Sequence, residues 1–108
     1  MNLEKLGDLL TALSPDIPVA YYQFEEPTLT PFITYLVQDG ESINADNRPI
    51  HEILEVDIEL YSTDKNLEAE KLIKDMLKEN DLPWTYEEIH IKAQNTFQST
   101  FSVQLIGG

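Results

Sequence analysis

Leu54, Val56, Ile58 and Leu60 alternate with Glu55, Asp57 and Glu59 within the stretch 53–61. Period two is the repeat of a β-strand, so one side of this strand is apolar and the other is wholly acidic. Carboxylates two residues apart on a strand lie roughly 6.6 Å from each other on one face. Such a row is either a by-product of a very acidic chain or a surface meant to be negative. A second alternation predicts a strand over 96–106, with Phe97, Phe101, Val103 and Leu105 on one side. Gln98, Thr100, Ser102 and Gln104 take the other side. Phe32 to Val37 is nearly continuous and β-prone, the pattern of a strand covered on both faces. Val19–Phe24 and residues 84–92 supply two further short strands.

Helical spacing appears twice. Leu3, Leu6, Leu9, Leu10 and Leu13 form one stripe over residues 2–13, with Asn2 as N-cap and Met1 and Leu6 placed as a hydrophobic staple. Ser14-Pro15 stops that helix. Leu67, Ala69, Leu72, Ile73, Met76 and Leu77 form a second stripe over about 67–80, capped by Asp64 or Asn66 and supported by a Glu70–Lys74 pair. Asn80 suits a left-handed end, and Pro83 blocks continuation. Residues 25–31 carry two prolines and resist regular structure. Residues 38–49 are rich in Asp, Asn and Gly and read as a long hairpin loop or an extended β-arm.

The order is α-β-β-β-α-β-β in a single domain over residues 1–108. Strands and helices come in blocks, which predicts an α+β fold with a mainly antiparallel sheet and helices packed on one face. The other face then carries Glu55, Asp57 and Glu59 beside Gln98, Thr100, Ser102 and Gln104. Such a face meets water or a partner.

Charge sharpens this picture. Twenty acidic residues against seven basic ones give a formal net charge of −13 in 108 residues. That excess argues against nonspecific DNA or RNA binding, which needs Lys and Arg to displace counterions, and against docking on anionic membranes. No segment has the apolar length of a membrane span, and the first residues do not read as a signal peptide. Cysteine is absent, which removes disulfides, thiol nucleophiles and zinc–thiolate sites and fits a cytoplasmic origin. Catalytic candidates are few. His51 and His90 lie on predicted strands, and no serine sits in an elbow motif. Glycines at 7, 40, 107 and 108 form no phosphate loop. The chain reads as a non-enzyme without cofactor or metal.

Several stretches together carry a resemblance. They are Val19-Ala20-Tyr21, Pro31-Phe32-Ile33-Thr34-Tyr35-Leu36, Ala45-Asp46-Asn47, the strand end Ile58-Glu59-Leu60-Tyr61-Ser62-Thr63, and Leu82-Pro83-Trp84 before two closing strands. The chain resembles, over essentially its full length, the small tail-terminator (head-to-tail joining) proteins of long-tailed phages and prophages of Gram-positive bacteria. The resemblance implies a virion protein made in the bacterial cytoplasm. Six copies would form a ring that caps the tail tube, and free subunits can stay monomeric until assembly. Its partners would be the major tail-tube protein and the head connector, with DNA passing through the middle without adhering. The family offers no catalytic residues to carry over. Ala45, Asp46, Asn47 and Arg48 match the position of an arm that reaches a neighbour, and Glu55, Asp57 and Glu59 become candidates to face the channel. Two other readings stay open: another phage neck or head-closure protein, and an acidic module that mimics DNA.

Overall fold

The computed structural model describes residues 1–45 and 48–107. Asn2 starts helix α1 (Leu3–Thr11) by accepting a hydrogen bond of 2.8 Å from the Lys5 amide through its side-chain oxygen. Strand β1 (Val19–Tyr21) follows, and it is shorter than the pattern Val19–Phe24 predicts. Tyr22 ends it by turning to φ 68°, while the Gln23 amide reaches the Tyr21 carbonyl at 2.8 Å. A bond between residues two apart around a positive φ is the strained form of γ-turn, which no strand continues through.

Strand β2 (Phe32–Ala45) and strand β3 (Arg48–Ser62) form one long antiparallel hairpin, paired from Phe32↔Tyr61 out to Ala45↔Arg48. The turn-rich residues 38–45 and 48–49 are thus strand, in the form of an extended arm. Register shifts between Val37 and Asp39 and between Ile43 and Asn44 interrupt the regular ladder. Helix α2 (Leu67–Glu79) is capped by Asn66, whose side-chain oxygen lies 3.0 Å from the Ala69 amide. At its other end the Leu82 amide bonds to the Leu77 carbonyl and the Asp81 amide to the Lys78 carbonyl. This double bond pattern is a Schellman motif. The left-handed residue is Asp81, at φ 54°, and not Asn80, which sits at φ −104°. Strand β4 (Trp84–Ile91) turns through a short 3-10 segment and Asn95 into strand β5 (Thr96–Gly107).

The sheet order is β1-β2-β3-β5-β4, antiparallel except for the parallel β1–β2 pair. This is the α+β fold, with the element order read from the sequence. Both helices pack on one sheet face. Their Leu6, Leu10, Ile73 and Leu77 join Ile33, Val56, Ile58, Leu60, Phe101, Val103 and Leu105 in one buried cluster. Gly7 lets α1 approach Tyr35 of β2, where a β-carbon would collide with the phenol. The second helical stripe needs correction. Leu67 and Leu72 are exposed, and Glu70 takes a place on the buried face. No helix among the described residues is long and apolar enough to cross a membrane.

Candidate functional site

The face left open by the helices is built by alternate residues of β3 and its neighbours. Glu55 lies opposite Gln104, Asp57 opposite Ser102 and Glu59 opposite Thr100. On the other flank Thr34 is opposite Glu59 and Leu36 opposite Asp57. The three acids of the sequence pattern therefore stand in one row, each half-buried between flanking strands.

Neutral donors hold the row. Ser102 Oγ donates to Asp57 Oδ1 at 2.6 Å, and Gln38 Nε2 donates to Asp57 Oδ2 at 3.0 Å. Gln104 Nε2 donates to Glu55 Oε1 at 2.5 Å. Glu59 accepts from Gln98 Nε2 and, at 3.3 Å, from Thr34 Oγ1. Among the described residues, no Lys or Arg forms an ion pair with these three acids. Hydrogen bonds to a carboxylate fix its position and leave its charge in place. Burial pushes the Glu59 carboxyl above its ordinary value. The Thr34 bond opposes that rise, the Asp57 charge adds to it, and the Gln98 bond again opposes.

At one end of this face, segment 22–28 closes over β2 and β3. Phe24 meets Phe32 edge-on at 5.3 Å between ring centroids, and Phe32 stacks on Tyr61 at 4.9 Å. The hollow they share with Tyr22, Glu25 and Glu26 has a volume of about 510 Å³. At the other end, β4 stops at Trp84 while β5 runs on, which opens a cleft of about 630 Å³ beside Glu55, Leu82 and Ile106. Tyr21, Tyr22 and Tyr86 are exposed, whereas Phe24 and Trp84 are half-buried.

The opposite face holds a cluster that the sequence pattern does not announce. Glu70 is buried at 2% exposure, with Lys65 Nζ 2.8 Å from its Oε2 and Tyr86 Oη donating to its Oε1 at 2.7 Å. Lys65 also reaches Glu88 Oε2 at 2.6 Å, and Lys74 Nζ lies 5.4 Å from the Tyr86 ring centre. Glu70 thus pairs with Lys65 and not with Lys74, and the i,i+4 pair of this helix is Lys71–Asp75. The only sequence sign of the cluster is an acid at the apolar spacing of Ile73 and Leu77. It clasps α2 to β4. His90 stands exposed on β4 with its ring 4.7 Å from that of Phe97.

Of the candidate arm residues, Ala45 and Arg48 are paired backbone at the hairpin end, and Asp46 and Asn47 lie outside the described residues. The Ala45 and Arg48 backbone stands several residues along the hairpin from the acid row. Among the described residues, no three His, Asp or Glu side chains are grouped to hold a metal ion. The sequence matches no protein-family model and no curated protein.

Proposed function

We propose that this chain is a structural virion protein, a tail terminator whose copies close into a ring between tail tube and head connector. The observation that carries the reading is the acid row on the open sheet face. Its carboxylates are ordered by amide and hydroxyl donors and carry no compensating cation among the described residues. A wall of this kind neutralises no phosphate, so a polyanion passes along it without adhering. Repeated around a ring, Glu55, Asp57 and Glu59 would line or flank the conduit, and the β2–β3 arm supplies reach toward a neighbouring copy. The long axis of 51 Å, against 28 and 24 Å, suits a subunit that overlaps the next one.

Two measurements test it. Negative-stain images of the protein mixed with tail tubes should show six-fold rings at tube ends, and a protein that never binds tubes counts against the reading. Glu55→Lys, Asp57→Lys and Glu59→Lys together should leave rings intact and hinder DNA passage or ejection. Unaltered infectivity of that triple variant would sink the channel role. A tight 1:1 complex with a DNA-binding enzyme would point instead to a DNA mimic.

A further inference from the structure

We propose that the hollow floored by Phe32 and Tyr61 binds an arginine side chain of a partner protein, a chain other than this one. The contact does not depend on the terminator reading, and it gives the open sheet face a protein-binding end.

The hollow offers aromatic surface and negative charge together. Phe24, Phe32 and Tyr61 form a contiguous aromatic set, and Glu25 and Glu26 stand exposed on the rim. Among the described residues, neither rim carboxylate is paired with a Lys or Arg. Tyr61 follows Glu59 on the same face of β3, opposite Phe32, so the acid row runs into this hollow. Thr34 joins the two, lining the hollow and donating to Glu59 Oε1 at 3.3 Å. A cation seated here meets carboxylates from the loop and from the sheet.

The chemistry of the occupant follows from these groups. A guanidinium is planar, so its face stacks on rings while its edge donates to carboxylates, whereas an ammonium is a compact, strongly hydrated charge. The volume of about 510 Å³ admits a whole arginine side chain. The rim is also set before anything binds. Thr28 Oγ1 donates to the Glu26 carbonyl at 3.1 Å, and the Tyr22 amide, at φ 68°, donates to the Tyr35 carbonyl at 2.8 Å. A wall already in shape spares the ordering cost of binding. Twenty acidic residues against seven basic ones make a second copy of this chain mainly repulsive, so charge complementarity selects a basic partner.

The test titrates acetyl-Gly-Arg-Gly amide into the full chain and follows it by NMR, beside the same peptide with citrulline or norleucine in place of arginine. The arginine peptide should bind about tenfold tighter than either, as expected for one desolvated cation over aromatic rings. Its side-chain methylene protons should move upfield, because they lie over the rings. Attraction to the acid row alone gives no such shift. Phe32→Leu should abolish the upfield shift, and Glu25→Gln with Glu26→Gln should bring the arginine affinity toward the citrulline value, with circular dichroism showing each variant folded. Equal affinity for the three peptides, or arginine binding without the upfield shift, would overturn the proposal. Light scattering of the protein alone adds a check: a concentration-dependent oligomer that the two glutamine substitutions dissolve places a second copy in the hollow and equally overturns it. Rings on tail tubes without selective arginine binding refute this contact and leave the terminator reading standing. Selective arginine binding without tube capping supports the contact and counts against the terminator.

Discussion

Ser102 Oγ donates a hydrogen bond of 2.6 Å to Asp57 Oδ1, from β5 into the middle of the acid row on β3. The two residues are direct cross-strand partners, so the bond ties the sheet where its like charges stand closest on both sides. Ser102→Ala removes one donor while Gln38 still reaches the other carboxylate oxygen. The expected cost is about 1 kcal/mol, the net value of one such bond at a half-exposed site. Ser102→Asp sets a fourth acid against the row and should lower the urea midpoint further than Ser102→Ala. Equal midpoints for the two variants would show that the row carries little repulsion.

Glu59 and Glu88 should drive stability with pH in opposite senses. The Glu59 carboxyl is raised above 4.5, first by burial. Its contribution to stability is therefore full below that value and is lost as pH rises through the raised value. Glu88 is lowered, first by its bond to Lys65 and then by Tyr86. Its contribution is present above 4.5 and is lost as pH falls through the lowered value. Glu59→Gln should gain stability relative to the parent as pH climbs from about 4 to about 8. Urea unfolding at stepped pH reads the difference, and a constant gap between the two proteins would contradict the assignment.

Gly7→Ala should destabilise despite the better helix propensity of alanine, worth about 1 kcal/mol in α1. The added β-carbon falls within contact distance of Tyr35 Oη and 3.0 Å from Cζ. Tyr35 cannot swing away freely, because Tyr21 packs edge-on against it at 5.1 Å. A net loss of about 1–2 kcal/mol is expected. Combining it with Tyr35→Phe removes the hydroxyl and should recover part of that loss, a coupling that a double-mutant cycle by thermal unfolding measures directly.

Lys65→Met strips the buried Glu70 of its cation. Breaking a buried pair costs about 3–5 kcal/mol, and the half-exposed Lys65 lowers the expectation to about 2 kcal/mol. Adding Glu70→Leu should restore stability above that of Lys65→Met alone, since no unpaired carboxylate then remains on the helix face. A double variant no better than the single one would place the value of Glu70 in its Tyr86 bond.

Local rules made much of the fold legible. Asn2 and Asn66 cap the helices they precede, and the alternation at 54–60 and 98–104 assigns both sheet faces residue by residue. What depends on distant placement was not legible. The burial of Glu70 and the exposure of Leu67 and Leu72 follow from how α2 lies against β4. A helical stripe drawn from the sequence cannot include that neighbour. The pairing of Gln104 with Glu55 depends on a register set across 49 residues. The sequence showed acids and amides on one face, and only the register turns them into donor–acceptor couples. Asp39, Gly40 and Asn44 favour turns and left the sequence open between a long loop and an extended arm, and pairing with β3 decides for the arm.

Neutral donors beside the acid row also decide how the protein answers to salt. A sheet face tied by ion pairs weakens when counterions collect around it, because the attraction that holds it is screened. Here the described bonds to Glu55, Asp57 and Glu59 come from amides and hydroxyls, which counterions hardly touch. What screening removes is the repulsion between neighbouring carboxylates, set about 6.6 Å apart, against a Debye length of about 10 Å at 0.1 M salt. Moderate sodium chloride should therefore raise the melting temperature, and the parent protein should gain more than a Glu55→Gln, Asp57→Asn, Glu59→Gln triple variant. For copies that assemble as proposed, ionic strength would be an assembly variable as well, since their mutual repulsion in dilute buffer falls once the common charge is masked.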